Sequence, residues 1–306
     1  LGAIDVIVHH SLGHNPEQIA ELAQASGQAR CWLWLHDFFT ICPSFTLQRN
    51  GITFCNAPDL TSNACTLCLY GRERADHRRR MQAFFEAIDV NVLSPSQVTA
   101  DLWHARSGLA PASLEVCPHM TLDWVKRKTP APAERDEITI AFLGTPAPHK
   151  GWAAYDRLVR QFHTDSRFRF VYCGSSPVPN SAVSHVPVHV TAETPDAMIE
   201  AVAAEQADLV LHWASWPETF SLSTYEALAG GAYVLTNPIS GNVAATVERL
   251  KRGAVLEDEA DLEAFFEDGR IEKVVAGLRK ERAEKTVSWT TSDMSMPRMQ
   301  NDGART

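Results

Sequence analysis

The feature that most constrains this chain is a pair of glutamates placed around a predicted helix start. Glu218 and Glu226 are separated by seven residues, and Pro, Thr and Ser between or beside them are helix-start signals. An apolar run at 207–212 precedes this segment, and a second apolar run at 232–236 follows a Gly-Gly stop signal. The pattern predicts strand, loop, short helix and strand, which is the order found in parallel α/β sheets.

The start of this predicted helix is suited to phosphate binding. A helix N-terminus presents backbone N–H groups without helical partners, together with the positive end of the helix dipole. Residues 220–223 would supply those groups. A carboxylate on either side could accept hydrogen bonds from sugar hydroxyls, so the segment indicates a nucleotide-sugar site.

The sequence Glu218-x7-Glu226 followed by Ala-Leu-Ala-Gly-Gly resembles the E-x7-E signature of retaining glycosyltransferases of family 4, which have the GT-B fold. The resemblance covers roughly residues 4–280. It implies that Glu218 contacts the donor sugar and Glu226 the ribose. Ordinary charges at a helix start are the alternative explanation for both glutamates.

A second match follows the apolar strand predicted at 138–143. A loop from Gly144 to His149 leads to Lys150-Gly151 at a helix start, an arrangement suited to phosphate. It resembles the family's GR-x4-KG element, in which an Arg and a Lys both grip the donor diphosphate. Lys150 matches, but Thr145 stands where the Arg is expected, which puts donor affinity in question.

The other side of the cleft is predicted from two strands that end in histidine. Residues 4–8 end at His9-His10, and residues 30–35 end at His36-Asp37; ligands of open parallel sheets bind beyond such carboxyl ends. The run from His36-Asp37 to Cys42-Pro43 resembles a motif of family members in polysaccharide assembly, whose His reaches the donor sugar.

These matches define a predicted site. Its catalytic residues are Glu218, Lys150 and His36. Its donor-binding residues are Gly144, Thr145, Gly174, Thr191, Thr219, Phe220, Ser221, Leu222 and Glu226. Its acceptor-side residues are His9, His10 and Asp37.

The long loop at 42–71 has little periodicity and contains four cysteines, Cys42, Cys55, Cys65 and Cys68. Cys65-x2-Cys68 has zinc-ligand spacing, and four thiolates could close a tetrahedral structural zinc site. Free or buried thiols are the alternative, because only one such C-x2-C pair is present.

A basic run, Arg72–Arg80, opens the next predicted helix. Arginines in the first turns oppose the helix dipole, which would favour contact with an anionic lipid headgroup or lipid-phosphate acceptor. A solvated basic face is the alternative explanation.

Composition limits the classes of function and compartment. The net charge is −9 over 306 residues, and the acidic excess lies in the second half, which argues against broad nucleic-acid binding. Seven cysteines in a chain of this size favour a reducing compartment, so a cytoplasmic protein, or one peripheral at the inner membrane face, is expected.

The predicted architecture is α/β, with two Rossmann-like domains facing a central cleft as in the GT-B fold. The predicted ranges are an N-terminal acceptor-side domain at 1–128, a linker at 129–137, a nucleotide-sugar-binding domain at 138–283 and a tail at 284–306. The N-terminal domain is expected to be incomplete, because the family's first strand and Gly-rich turn have no counterpart before residue 4.

The resemblance implies a hexosyltransferase that moves a hexose from a nucleotide-diphosphate sugar to a glycan or lipid-linked hydroxyl, with retention and without a catalytic metal. A non-catalytic GT-B-like module that binds a nucleotide or glycan within an assembly protein is the alternative, favoured by Thr145. A sugar-nucleotide epimerase of the same fold is a third hypothesis.

Overall fold

Two parallel sheets form the frame of the protein, and each lies in one half of the chain. The computed structural model describes residues 5–27, 30–128 and 135–292. Its strands are β1 (Val6–Val8), β2 (Cys31–Trp34), β3 (Gln48–Arg49), β4 (Thr53–Phe54), β5 (Val90–Ser94), β6 (Ser113–Val116), β7 (Met120–Lys126), β8 (Ile138–Leu143), β9 (Phe168–Gly174), β10 (Ser184–Pro187), β11 (Leu209–Leu211), β12 (Tyr233–Thr236), β13 (Gly253–Val255) and β14 (Lys285–Thr291).

Helices cover both sheets. They are α1 (Pro16–Ala25), α2 (Asn63–Thr66), α3 (Gly71–Ala87), α4 (Gln97–Ser107), α5 (Trp152–Phe162), α6 (Ala197–Ala204), α7 (Leu222–Ala229), α8 (Asn242–Leu250), α9 (Glu259–Glu267) and α10 (Arg270–Glu284). The apolar strands are buried on both faces, as β2 and β8 show along their whole length. The prediction of two parallel α/β sheets is therefore confirmed.

The strand order places a crevice in the second sheet. The described strands of the first sheet run in the order β1-β2-β5-β6, and those of the second in the order β10-β9-β8-β11-β12-β13. In the second sheet the chain moves outward from β8 to β10 and then restarts at β11 on the other side of β8. The carboxyl ends of β8 and β11 therefore flank a topological switch point, where α/β proteins bind ligands.

The two halves meet around the loop that follows β11. Ala214 and Trp216 belong to the second half, yet both are buried in the apolar core of the first sheet, beside Phe38 and Leu35. The side-chain amide of Gln48 donates to the carbonyl oxygen of Ser215 over 3.0 Å. The loop after β11 is thus part of the interface between the two domains.

An antiparallel ribbon also joins the halves. The sequence leaves open whether the tail at 284–306 folds back on the first domain, and it predicts neither strand of this ribbon. Strand β14 pairs with β7 over seven residue pairs, from Lys285 opposite Lys126 to Thr291 opposite Met120. The range 284–306 lacks the periodicity of a buried element, and the range before the predicted linker had no predicted strand. Residues 129–134 of that linker and residues 293–306 lie outside the described residues.

Candidate active site

The centre of the site is an ion pair at the switch point of the second sheet. Lys150 ends a single 3₁₀ turn, Pro148–Lys150, in the segment after β8, and Glu218 lies in the loop after β11. Lys150 Nζ is 2.6 Å from Glu218 Oε1. The indole Nε1 of Trp216 donates to the same carboxylate oxygen over 2.9 Å. The two predicted catalytic residues of the second domain are therefore in direct contact.

The charge of Glu218 is fixed by its neighbours. The side chain is buried, and burial alone would raise the pKa of its carboxyl group. The neighbouring His212 and Lys150 outweigh that effect and lower the pKa to about 2. Glu218 is thus an ionised carboxylate in a dry site, and it depends on nearby cations.

His212 is a buried neighbour of this pair that the sequence analysis did not select. Its Nε2 is 3.7 Å from Glu218 Oε1 and has no hydrogen-bond partner among the described residues. Its Nδ1 is 3.4 Å from the hydroxyl of Ser223 on α7. The available sequence signal was a polar residue directly after the apolar residues 209–211, at a strand end that faces the crevice.

A glycine makes the position of Lys150 possible. Gly151 has φ +88, and a Cβ at this position would lie 2.3 Å from the carbonyl oxygen of Trp213. The backbone N–H of Ser215 also donates to the carbonyl oxygen of His149 over 3.1 Å. The turn that carries Lys150 therefore packs directly against the loop that leads to Glu218. Any larger residue at 151 would clash with that loop and separate it from the turn.

The start of α7 has an unusual backbone conformation. Ser221, the residue before α7, has φ 69, a left-handed value that is uncommon outside glycine. The side-chain amide of Asn242 donates to the carbonyl oxygen of Phe220 over 2.9 Å, and Ser221 Oγ is 2.9 Å from Thr224 Oγ1. Leu222 is exposed at the first position of the helix. The predicted phosphate-binding turn is thus tightly held by side chains from the second domain.

Glu226 has a different environment from Glu218. It is half-buried on α7, and burial raises the pKa of its carboxyl group to about 7. Its carboxyl group therefore changes charge close to neutral pH, whereas that of Glu218 does not. The two glutamates of the sequence signature differ because Lys150 forms an ion pair with Glu218, whereas none of the described cations forms an ion pair with Glu226.

His36 reaches this loop from the first domain. Its backbone carbonyl oxygen accepts a hydrogen bond from Thr219 Oγ1 over 2.8 Å. Its Nε2 is 3.3 Å from His9 Nδ1. Burial and the neighbouring imidazoles lower the pKa of His36 to about 4, so its ring is neutral at physiological pH. A neutral imidazole can donate one hydrogen bond and accept another.

The other predicted acceptor-side residues surround His36. His9 stacks on His36 with ring centroids 5.6 Å apart, and His10 Nε2 contacts the carboxyl group of Asp37. Burial raises the pKa of Asp37, although its carboxylate accepts a hydrogen bond from the backbone N–H of Phe39 over 2.7 Å. The structure therefore brings His9, His10, His36 and Asp37 together at one edge of the first sheet.

His119 is a second residue that the sequence analysis left outside the site. Its ring lies between the two domains, with its centroid 5.2 Å from that of His36 and 5.0 Å from that of Phe220. It is buried, and burial together with His9 lowers its pKa to about 4. The sequence signal was its position directly after Pro118, shortly past the end of β6.

The remaining predicted donor residues lie at the same end of the second sheet, without contact to the ion pair. Gly144 follows β8, and its backbone N–H donates to Cys173 on the neighbouring strand β9. Thr145 is exposed. The carbonyl oxygen of Gly174 is bonded to His185, and Thr191 donates to Glu193 over 2.8 Å in an exposed turn. Their predicted roles stay predictions.

The four cysteines of the long loop lie around one small cavity of about 20 Å³. Arg74, a buried side chain of α3, also borders this cavity and donates over 2.7 Å to Cys65 Sγ and to the carbonyl oxygen of Pro58. In the ranges that the structure describes, no three His, Cys, Asp or Glu side chains form a group that could hold a metal. The geometry gives the zinc hypothesis no support.

The basic run is dispersed around α3 and does not form a continuous patch. Arg74 is buried, Arg78 donates to the carbonyl oxygen of Ser107, and Arg79 and Arg80 form ion pairs with Asp76 and Glu17. Arg72 is exposed. Within the described ranges, no helix is both long enough and apolar enough to cross a bilayer.

Comparison with known proteins identifies the fold. No family model matches the sequence, and no curated protein matches it. Sucrose-phosphate synthase from Thermosynechococcus elongatus aligns with 87% of this chain at 16% identity, with a TM-score of 0.55. The GtfA/B complex aligns with 92% at 13% identity and a TM-score of 0.56, and Anabaena HepE bound to UDP-glucose with 87% at 12% and 0.55.

These structural neighbours are GT-B glycosyltransferases, so the predicted GT-B fold is confirmed. The alignments cover 66%, 54% and 70% of the three neighbouring chains. At identities of 12–16% they show the fold alone, and the activity is argued from the site.

Proposed function

We propose that this protein is a glycosyltransferase that moves a hexose from a nucleotide-diphosphate sugar to a hydroxyl acceptor with retention of configuration, as in family 4. The observation that carries this proposal is the Lys150–Glu218 ion pair at the switch point, beside the start of α7. Lys150 of this pair can bind a diphosphate, and the adjacent carboxylate of Glu218 can bind sugar hydroxyls. The solved complex of HepE with UDP-glucose, which has the same fold, supports a nucleotide sugar as donor.

The second domain stabilises the leaving group in this proposal. Lys150 Nζ and the backbone N–H groups at the start of α7 donate to the diphosphate, where negative charge develops as the bond to the sugar breaks. Glu218 holds a sugar hydroxyl as a fixed anion. Glu226, which accepts hydrogen bonds best when ionised, holds the ribose.

The first domain contributes the acceptor side. His36, neutral at physiological pH, donates a hydrogen bond to the sugar, and His9, His10 and Asp37 line the path of the acceptor. The acceptor oxygen forms a bond to the anomeric carbon on the face from which the phosphate leaves. The acceptor proton passes to the departing phosphate oxygen, so the step is balanced without a second carboxylate or a metal.

The acceptor and setting follow from the same resemblance. We assign the protein to polysaccharide assembly in the cytoplasm, with a glycan or lipid-linked saccharide as acceptor. Contact with the inner membrane face through Arg72–Arg80 is the weaker part of this assignment, because most of these arginines already have partners within the protein.

A non-catalytic binding module is the competing proposal, and one observation favours it. Thr145 is exposed where a second diphosphate-binding cation would stand. Such a module would bind a nucleotide or glycan at the same ion pair but would not cleave the donor.

One experiment separates the two proposals. Purified protein is incubated with a panel of nucleotide sugars, and both the melting temperature and the release of nucleoside diphosphate are followed. A transferase raises its melting temperature with its donor and releases diphosphate slowly by hydrolysis. A module shows only the first response. If no nucleotide sugar shifts the melting curve, the transferase proposal and a nucleotide-binding module are both wrong, and only a glycan-binding module is left.

Variants then test the site assignment. Glu218→Ala and Lys150→Ala remove the two members of the ion pair, and both are expected to lose the donor-induced shift. Lys273→Ala removes an exposed lysine of α10 and serves as the matched control. A donor-induced shift of normal size in both site variants would contradict the assignment.

A further inference from the structure

We propose that His212 is a positioning residue that takes up a proton when the donor binds, and so replaces Lys150 as the counter-charge of Glu218. This inference rests on the proposed function, because it concerns the same site.

The geometry places an ammonium group and an imidazole ring at one carboxylate oxygen. Glu218 Oε1 receives Lys150 Nζ at 2.6 Å, and His212 Nε2 stands 3.7 Å from the same oxygen. His212 is 5% exposed, and its Nε2 has no hydrogen-bond partner in the described part of the chain. A buried ring nitrogen without a partner is costly, so this arrangement indicates a bond that forms in another state of the protein.

The side chains of Lys150 and His212 differ in their freedom to move. The side chain of Lys150 is 34% exposed, so its ammonium group can turn toward a ligand in the crevice. His212 is more restrained, because its ring Nδ1 is 3.4 Å from Ser223 Oγ and its backbone carbonyl oxygen accepts from Thr236 Oγ1 over 2.7 Å. Lys150 is therefore the partner that can leave Glu218, and His212 is the one that stays.

Donor binding creates the need for a replacement. When Lys150 donates to a diphosphate, Glu218 remains buried with its negative charge but without its cation, which is unfavourable. A protonated His212 would restore the balance after a shift from 3.7 Å to the length of a charge-assisted hydrogen bond, about 2.8 Å. The negative charge of the diphosphate also favours the imidazolium form.

Two other titratable groups of the site need to be considered. Among the described residues, Glu218 and the hydroxyl of Ser223 on α7 lie beside the His212 ring, and Lys150 contacts the same Glu218 oxygen. Glu226 on α7 has a pKa of about 7, so ionisation on binding the ribose would release a fraction of a proton and reduce the net uptake. His149 is half-buried and interacts electrostatically with both Lys150 and Glu218. Substitution of His149 is therefore the matched control for assigning the proton uptake to His212.

The test measures proton uptake on binding by titration calorimetry at pH 7.5. A nucleotide sugar is used, because its diphosphate does not titrate near neutral pH, and the panel includes UDP-glucose, GDP-mannose and ADP-glucose. Each titration is repeated in buffers with different ionisation enthalpies, and the slope of the observed enthalpy gives the number of protons. We expect uptake approaching one proton per donor bound to the wild-type protein.

Two variants assign the proton. His212→Gln keeps a donor near Glu218 but cannot be charged, so we expect weaker binding, by about tenfold, without proton uptake. His149→Gln is expected to keep the uptake. Melting curves of both variants establish that they are folded.

Each outcome decides the inference. Uptake that persists in His212→Gln, or disappears in His149→Gln, contradicts the role of His212. Binding to the wild-type protein without net proton uptake overturns the inference by itself, even if His212→Gln does not fold, and leaves the proposed function intact. If no nucleotide sugar binds, the inference and the proposed function both fail.

Discussion

Thr219 donates its hydroxyl hydrogen to the backbone carbonyl oxygen of His36 over 2.8 Å, and this bond connects the two domains. The carbonyl oxygen of Thr219 itself accepts hydrogen bonds from the hydroxyls of Ser96 and Thr99, at 2.7 and 3.0 Å. Thr219, which directly follows Glu218, is therefore hydrogen-bonded to two segments of the first domain, one at His36 and one at Ser96 and Thr99. A substitution that breaks these hydrogen bonds is therefore expected to displace the carboxylate of Glu218.

The first prediction concerns this interface. Thr219→Val keeps the shape of the side chain but leaves the carbonyl oxygen of His36 without its donor, so we expect a loss of about 1–3 kcal/mol in unfolding free energy. Loss of the bond also favours opening of the domains, which small-angle scattering would detect as a larger radius of gyration.

The matched control is Thr191→Val. Thr191 lies in an exposed turn of the second domain, where its hydroxyl bonds to Glu193. It should unfold within about 0.5 kcal/mol of the wild-type protein, as surface substitutions usually do. Equal stability of both variants would show that the Thr219 bond does not hold the domains together.

The second prediction concerns the pH dependence of Glu218. The folded-state pKa is about 2, below the usual value of 4.5, so this group stabilises the protein above pH 4.5 and loses that contribution as the pH falls through 2. Glu218→Gln should therefore lower the unfolding free energy at pH 7 by on the order of 2–3 kcal/mol, with a difference that shrinks below pH 4. Denaturant titrations at several pH values would measure it.

The third prediction is that a substitution at Glu226 raises the unfolding free energy, whereas the one at Glu218 lowers it. The pKa of Glu226 is raised by burial to about 7 in the folded protein, so its contribution to stability is fully present below pH 4.5 and is lost as the pH rises through 7. Glu226→Gln should therefore raise the unfolding free energy at pH 8 by about 1–3 kcal/mol and have little effect at pH 4.5. The same variant should bind nucleotide sugar more weakly.

A stability gain together with weaker binding would identify Glu226 as a ligand-binding carboxylate kept at a cost to the fold. If Glu226→Gln is no more stable than wild type at pH 8, the carboxyl group is better solvated than its surroundings indicate.

The fourth prediction uses Arg74 to decide between a metal site and free thiols. Among the described residues no carboxylate forms an ion pair with Arg74, and its Nε and Nη2 atoms are buried without partners. Burial raises the pKa of Cys42 and Cys55, so these thiols are neutral and supply no counter-charge. Arg74→Met should then raise the unfolding free energy, by about 1–3 kcal/mol.

A structural zinc ion would reverse this result, because zinc-bound thiolates would carry the negative charge that Arg74 offsets. Arg74→Met would then destabilise the loop. Metal analysis of the wild-type protein and of Cys65→Ser provides the independent check, since only a zinc-bound protein would lose metal with that substitution.

The sequence predicts strands well where both faces of the strand are buried. The strand β8, Ile138–Leu143, is apolar throughout, and its role as the first strand of the second sheet follows from that pattern. The ribbon of β7 and β14 could not be predicted in the same way. Both strands are largely exposed and mix polar with apolar residues, and each finds its partner more than 150 residues away.

The same limit applies to the site. The spacing of Glu218 and Glu226 and the position of Lys150 are local patterns, so the sequence could select them. His119 is a single histidine directly before β7, and its significance comes from His36 and Phe220, which are distant in sequence. His212 is close to Glu218 in sequence, but only the fold shows that its ring lies 3.7 Å from that carboxylate. The role of the basic run could not be predicted either, because only the orientation of α3 in the structure shows which of its arginines face inward.

The ribbon of β7 and β14 has a practical consequence for truncated versions of this protein. A protein ending at Glu284 would keep both parallel sheets but would leave β7 without the strand that pairs with it at seven positions. The bare strand contains Leu122, Trp124 and Val125, and an unpaired edge of this kind recruits strands from other molecules. Shortening the chain there would therefore promote self-association, so β14 keeps the protein from aggregating as well as completing the ribbon.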